Sequence, residues 1–214
     1  MNLKRLSQRN SAHPPKSLST GPTIVVLCAG RSQRFRESGG SGSKLDALIG
    51  GKSVRDRVVE VAKKSDLPLI IVNQADTAHL PNPGMGDSIA NAVSRSVDSN
   101  GWLILPADLA MIQIQTIVMV ASALQANEQQ RPGSADFCVA PRYQNQRGHP
   151  VGFSRDFLKP LLSLSGDEGA KRILSAHPPV LLDVEDEGCV LDVDTPQLLE
   201  QARELWRGRA AKCD

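Results

Sequence analysis

Four clusters of side chains in the 214-residue chain have the types and spacing to handle a phosphate ester. The first runs Leu27, Cys28, Ala29, Gly30, Arg31, Ser32, Gln33, Arg34, and a glycine- and serine-rich stretch then leads to Lys44. Small residues let backbone amides approach an anion closely. Arg34 and Lys44 add mobile positive charge, a set suited to a triphosphate. By itself the pattern also reads as a strand-to-helix turn with solvated charges. The second cluster, Gly84-Met85-Gly86-Asp87-Ser88, is either a turn with an N-cap or a floor for a base and ribose. In the third, Pro106-Ala107-Asp108, a carboxylate at a strand's carboxyl end would face the phosphate loop and hold Mg²⁺. Taken alone, Asp108 is equally a helix N-cap. The fourth, Asp192-Val193-Asp194-Thr195-Pro196, brings two acids before a helix that Thr195 would cap, and offers a second metal carboxylate.

Other chemistries lack their residues. After Gly30 the glycines of a dinucleotide fingerprint are missing, and Gly51-Lys52-Ser53 lacks the first glycine of a P-loop, because Asp46 stands there. Gly50-Gly51 then reads as a plain turn. The four histidines (His13, His79, His149, His177) lie in unrelated segments, so no Ser/His/Asp or Cys/His set is credible. His149, between Gly148 and Pro150, is either a turn residue or a substrate contact. Cys28 reads as a small strand-end residue.

These clusters need elements to hold them. Thr23–Cys28 is a short β-branched run, the pattern of a buried parallel strand. Ser53–Lys64 follows helical spacing, with Val54, Val58 and Val61 on one face and Ser53 and Asp56 as a capping pair. Further strands are expected at Leu69–Val72, Trp102–Leu105, Phe137–Ala140, Val151–Phe153 and Val180–Val184. Further helices are expected at Ser88–Val97, at Ile114–Ala126, from a cap at Asp167 through Ser175, and from Thr195-Pro196 onward. Alternating strands and helices argue for a three-layer α/β/α Rossmann-like sandwich with a mostly parallel sheet. Ligands of such sheets bind beyond the strands' carboxyl ends, where strand order reverses.

Composition narrows the function further. Aromatic residues are only 3 %, which argues against stacking platforms for single-stranded nucleic acid. Residues 1–22 carry Lys4, Arg5, Arg9 and Lys16 and no acid. That leaves 21 basic against 23 acidic side chains, a net −2, in the remainder, so the basic excess belongs to the tail. The tail has no apolar run and reads as a disordered extension. Residues 23–207 form one expected domain and 208–214 a C-terminal tail. The apolar stretch Trp102–Leu124 contains Pro106, Asp108, Gln113 and Gln115, which argues against a membrane span. Cys28, Cys138, Cys189 and Cys213 form no CxxC and read as reduced thiols of a cytoplasmic protein.

Five ordered pieces carry a resemblance: LCAGRSQRF followed by Lys44, GMGDS at 84–88, LPAD at 105–108, RGHPVGF at 147–153 with GDEGA at 166–170, and LDVDTP at 191–196. From about Thr23 to Leu205 the chain resembles the MobA-like nucleotidyltransferases of molybdenum cofactor synthesis, in particular the molybdenum cofactor cytidylyltransferase branch. The resemblance implies the nucleotide-diphospho-sugar transferase type of fold and transfer of CMP from CTP to the phosphate of a molybdopterin-type acceptor. It implies nucleotide binding by Leu27, Cys28, Ala29, Gly30, Arg31, Ser32, Gly84, Met85, Gly86 and Ser88. Arg34, Lys44 and Asp108 become the catalytic groups, Asp108 and Asp192 the Mg²⁺ ligands, and Gly148, His149 and Asp167 the acceptor side. Ala29 looks like the cytidylyl enzymes, since guanylyl relatives usually carry a second glycine there. A molybdenum hydroxylase or its maturation factor is the implied partner.

Three departures stand out: the insertion Glu37–Ser43 before Lys44, Ala110 where the family usually has proline, and a segment of only Asn73–Pro83 before Gly84. Two alternatives stay open. One is a transferase of the same fold that uses GTP, or a sugar-phosphate or erythritol-phosphate acceptor. The other is a nucleotide-binding protein without turnover.

Overall fold

The computed structural model describes residues 21–130 and 136–211. The expected tail of residues 1–22, apart from its last two residues, and Cys213 lie outside them. In chain order the elements are β1 (Thr23–Leu27), α1 (Gln33–Glu37), β2 (Leu48–Ile49), β3 (Lys52–Ser53), α2 (Val54–Lys63), β4 (Leu69–Val72), α3 (Gln74–Thr77), α4 (Met85–Ser94) and β5 (Gly101–Pro106). There follow α5 (Ile114–Gln130), β6 (Cys138–Tyr143), β7 (Gln146–Arg147), β8 (Val151–Ser154), α6 (Leu158–Leu162), α7 (Lys171–Ala176), β9 (Val180–Asp183) and α8 (Pro196–Ala210).

Alternation along β1 explains the three layers. Ile24 and Val26 point to one face, where they join Leu103 and Leu105 of β5 beneath Val58 of α2, Ile117 of α5 and Leu199 of α8. Val25 and Leu27 point to the other, against Ile89 and Val93 of α4 and Phe157 and Leu161. With both faces covered, every residue of β1 is buried.

The sheet runs β4-β1-β5-β8-β6-β7. β1 pairs in parallel with β4 and β5, and β6 in parallel with β9. Val139 of β6 faces Gly152 of β8 and Val180 of β9, so β8 and β9 flank β6 on opposite edges. Parallel pairing makes up most of the ladder. The exceptions are β8, antiparallel to β5 and β6, and the short β7. From β1 the chain moves out to β4 and then returns to β5 on the other side. Strand order therefore reverses at β1, and a crevice opens beyond the carboxyl ends of β1 and β5.

Local chemistry sets most boundaries where the sequence placed them. The Ser53 hydroxyl accepts from Asp56 N at 3.0 Å and starts α2, and Thr195 accepts from Leu198 N at 3.2 Å and starts α8 with Pro196 in its first turn. Gly50 and Gly51, with φ of 55° and 79°, turn the small β2–β3 hairpin that precedes α2. Several details differ. Ala62, not Val61, completes the fully buried face of α2. α4 begins at Met85, three residues early, because Asp87 caps it from inside the glycine-rich segment. Asp167 caps no helix: it lies in a turn, and α7 starts only at Lys171. α8 continues to Ala210, past the expected boundary at residue 207. No helix among the described residues is long and apolar enough to cross a membrane.

Candidate active site

The crevice is a cleft of about 800 Å³. Its floor is set where β1 and β5 end together, with Ala107 N donating to Leu27 O at 3.1 Å. Beyond that bond Ala29 and Gly30 turn away on one side, and Asp108 follows β5 on the other. The inserted loop does not carry Lys44 out of register. Phe35 is buried in the core, Gly40 N bonds its carbonyl at 2.8 Å, and the Ser32 hydroxyl accepts from Lys44 N at 3.1 Å. A Cβ on Gly40 would lie 2.4 Å from the Phe35 ring, so the return of the loop depends on glycine there.

Lys44 is only 8 % exposed and its ammonium joins two carboxylates. Nζ donates to Asp108 Oδ2 at 2.6 Å and to Asp194 Oδ1. Asp194 Oδ2 accepts in turn from Arg34 Nη1 at 2.9 Å, with the Arg34 side chain 81 % exposed. Burial would lower the Lys44 pKa, but the Asp108 charge and the bonds to Asp108 and Asp194 outweigh it and hold the pKa above its ordinary value. Burial would likewise raise Asp194, yet Lys44 and Arg34 together keep it below the usual carboxylate range. Asp192 goes the other way: partial burial and the charges of Asp108 and Asp194 push its pKa up, and Lys44 offsets this only in part. Sequence reasoning named Asp192 and passed over Asp194. Both stood in the Asp-Val-Asp pair, but the alternation that sends Asp194 to the two cations becomes visible only once Val193 is buried between them.

Two unpaired atoms mark the cleft. Among the described residues, the buried side-chain polar atoms without a hydrogen-bond partner are Asp108 Oδ1 and His149 Nδ1, and both residues line it. A buried, unsatisfied carboxylate oxygen is costly and needs an explanation such as an ion. His149 comes from the opposite side of the sheet. Its N–H donates to Cys189 O at 2.9 Å, and Gly148 packs so closely that a Cβ would sit 2.5 Å from that same carbonyl. The His149-Pro150 peptide is cis. Burial lowers the His149 pKa despite the nearby Asp108 charge, so the ring is held neutral.

The glycine-rich segment has a double use. Asp87 Oδ2 accepts from Gly84 N at 2.8 Å and Gly166 N at 2.9 Å, tying α4 to the 165–167 turn that carries Asp167. A Cβ on Gly84 or Gly86 would collide with the backbone of Gly166 or Ser165. Gly84, Met85 and Ser88 line the cleft, as does Asp167, while the Ser88 hydroxyl donates to Gly84 O at 3.1 Å. Arg31 reaches from the first loop to Pro83 O at 3.3 Å.

Leu27, Ala29, Gly30, Arg31, Ser32, Arg34, Lys44, Gly84, Met85, Ser88, Asp108, Gly148, His149, Asp167 and Asp192 therefore share one cleft. Cys28 and Gly86 lie off it. The Cys28 side chain belongs to the core, where burial raises its thiol to about 11, and Gly86 is spent on packing against Ser165. Gln146 and Arg147 of β7 also line the cleft. Arg147 stands within the fourth motif, and its reach into the cleft depends on the β6–β7 hairpin, a tertiary feature.

Similar folds exist among solved structures. Rv0371c from Mycobacterium tuberculosis H37Rv is 25 % identical with a TM-score of 0.63, over 86 % of this chain and 98 % of that one. Its complex with manganese gives 22 % and 0.59 over the same shares. A nucleotidyl transferase from Methanothermobacter thermautotroptrophicus gives 14 % and 0.65, over 88 % and 99 %. Molybdopterin-guanine dinucleotide biosynthesis protein A from Archaeoglobus fulgidus gives 15 % and 0.57, over 87 % and 99 %. No curated protein sequence matches. The MobA-like NTP transferase domain matches residues 24–180, a span that runs from β1 through the first residue of β9 and includes Lys44, Asp108 and His149. The chain belongs to that family, the nucleotidyltransferases with a MobA-like NTP transferase domain.

Proposed function

We propose that this cleft transfers CMP from CTP to the phosphate of a molybdopterin-type acceptor and releases pyrophosphate. The observation that carries the reading is the unpartnered Asp108 Oδ1 beside Asp192, a carboxylate whose charge Lys44 compensates only in part. Two such carboxylates fit Mg²⁺, which usually takes one or two protein carboxylates and completes its shell with water and substrate phosphates. No group of three His, Cys, Asp or Glu side chains suited to a metal occurs among the described residues, which leaves the remaining ligand positions to water and substrate phosphates. The manganese complex of the similar Rv0371c supports a divalent ion in this fold.

When bound, the ion supplies charge neutralisation at the α-phosphate and the leaving pyrophosphate. The chain's own groups do the rest. Leu27, Ala29 and Gly30 offer backbone to the base and phosphates, with Arg31 and Ser32 at the start of the same loop. Arg34 and Lys44 face the triphosphate with positive charge. Gly84, Met85 and Ser88 form the floor under the nucleoside. Gly148, His149 and Asp167 meet the acceptor. An acceptor phosphate oxygen attacks the α-phosphorus, the bond to the bridging oxygen of the pyrophosphate breaks, and that oxygen leaves with the negative charge. The attacking oxygen is already anionic, so no protein nucleophile or base is needed. Catalysis is then positioning and charge neutralisation.

Ala29 supports cytidine over guanine, because its methyl group occupies space a purine would use. Pyrophosphate release with CTP, GTP and ATP tests the reading, each nucleotide being offered a pterin phosphate, a sugar phosphate and an erythritol phosphate. Preference for CTP and the pterin supports it. Preference for GTP, or for another acceptor, replaces it with a different transferase of this fold.

A further inference from the structure

Among the described residues, a carboxylate outside the cleft accepts five hydrogen bonds. Asp186 is 2 % exposed and lies between β9 and the segment that carries Asp192 and Asp194. Oδ2 accepts from Gln113 N at 2.9 Å and Thr116 Oγ1 at 2.7 Å. Oδ1 accepts from Gln113 Nε2 at 3.0 Å, Gly188 N at 3.0 Å and Arg209 Nη2 at 3.2 Å. Five donors on one buried carboxylate is a complete set.

The donors come from three segments that are distant in sequence. Gln113 ends the loop that begins with Asp108. Gly188 belongs to the turn that leads to Cys189 and Asp192. Arg209 stands in the last turn of α8 and also donates to the Met111 carbonyl. The two loops are pressed together at this point: a Cβ on Gly188 would sit 2.0 Å from Met111 O. They meet a second time at the cleft, where Val193 N donates to Asp108 O at 3.1 Å. The Asp108 loop and the Asp192 loop are therefore pinned at both ends. One pin is a single backbone bond and the other is Asp186.

We infer that Asp186 is a positioning residue that fixes the separation of Asp108 and Asp192, and so sets the affinity of the carboxylate pair for a divalent ion. The inference rests on the reading of those two residues as metal ligands. The substitution Asp186→Asn leaves a neutral amide with one acceptor oxygen, and its amide hydrogens would face the hydrogens of Gly188, Gln113 and Arg209. The pin would open, and Asp192 would lose its register against Asp108 although neither carboxylate is altered.

The test is Mn²⁺ binding to the full chain, followed by electron paramagnetic resonance of the free ion, with and without CTP. Asp186→Asn, Arg209→Gln and Thr116→Val are compared with wild type. Thr116→Val removes one donor to the carboxylate and Arg209→Gln the guanidinium that bonds both Asp186 and the Met111 carbonyl, and both keep the carboxylate, so they report even where Asp186→Asn fails to fold. Partners behind metal ligands set affinity by about tenfold or more, so Asp186→Asn should raise the Mn²⁺ dissociation constant by about tenfold and the other two variants by about threefold. Velocity should recover in all three as Mn²⁺ is raised. Variants that melt earlier but bind Mn²⁺ like wild type overturn the inference and leave Asp186 a purely structural residue. A wild type that binds no Mn²⁺ overturns the metal reading beneath it.

Discussion

The sheet has two halves that contribute to the cleft in different ways. In the parallel half, β4-β1-β5, the cleft residues directly follow a strand: Ala29 and Gly30 after β1, Asp108 after β5. In the other half, β8-β6-β7 with β9, they arrive on excursions. His149 lies between β7 and β8, and Asp192 and Asp194 lie on a long turn between β9 and α8. The first half makes its contribution by local geometry, since a buried parallel strand has one exit and the next residue stands at the crevice. The second needs tertiary bonds to bring its groups in. Examples are His149 N to Cys189 O, Val193 N to Asp108 O, and the five donors on Asp186. The halves meet at the carboxylates, with Asp108 from one and Asp192 and Asp194 from the other, and Lys44 between them.

Substitutions can separate the halves. Asp108→Ala should have the largest effect. It removes the half-buried carboxylate of the parallel half and should lower kcat by at least about a hundredfold, on the order of 3 kcal/mol in barrier, with circular dichroism unchanged. Near-normal metal-dependent activity in a folded variant would refute its assignment.

Asp192→Asn comes next, and it should split function from stability. Metal activation should fall by about tenfold or more. The folded-state pKa of Asp192 is raised, so its ionised form destabilises the native state once pH exceeds that value. The neutral variant removes that cost. Its metal-free Tm at neutral pH should therefore rise. The gain should shrink on acidification as Asp192 takes up its proton, and vanish below the ordinary carboxylate pKa. A lower Tm at pH 7 would show that Asp192 has a favourable partner.

Asp194→Asn should act more weakly and with the opposite pH signature. Asp194 has a lowered pKa, so its contribution to stability is present above the ordinary carboxylate pKa and is lost as pH falls through the lowered one. The variant should melt earlier at neutral pH and converge with wild type in acid. It also frees Arg34 and leaves Lys44 paired with Asp108 alone, so KM for the nucleotide should change more than kcat. Equal Tm values at pH 7 would mean that the Lys44 and Arg34 bonds contribute nothing net.

The smallest effect belongs to Ala29→Gly. One methyl group beside the base is worth about 1 kcal/mol, so the ratio of kcat/KM for CTP over GTP should fall by about fivefold. An unchanged ratio places base selection elsewhere, with the Gly84–Ser88 segment the next place to test.

The same contrast explains what the sequence made legible. β1 and β5 were visible because a buried parallel strand is a continuous apolar run, and Asp108 because it follows one. The caps at Ser53 and Thr195 were visible because they are local. Asp194, Arg147 and Asp186 were not singled out, because each gets its role from a partner in another segment. For Asp194 the partners, Arg34 and Lys44, are 160 and 150 residues away. Gly86 looked like part of a nucleotide floor, and only the approach of Ser165 showed why glycine stands there. Cys28 sits inside the phosphate-loop motif, yet strand alternation turns its side chain into the core.

Label transfer tests the central claim most directly. The full chain would be incubated with Mg²⁺, CTP labelled with ³²P at the α-position, and a pterin phosphate acceptor. The label should appear on the pterin as a nucleotide diester, with one pyrophosphate released for each label transferred, and Asp108→Ala should abolish both. Label that stays in CTP with every acceptor while CTP binds tightly would contradict nucleotidyl transfer and leave a nucleotide-binding protein in its place.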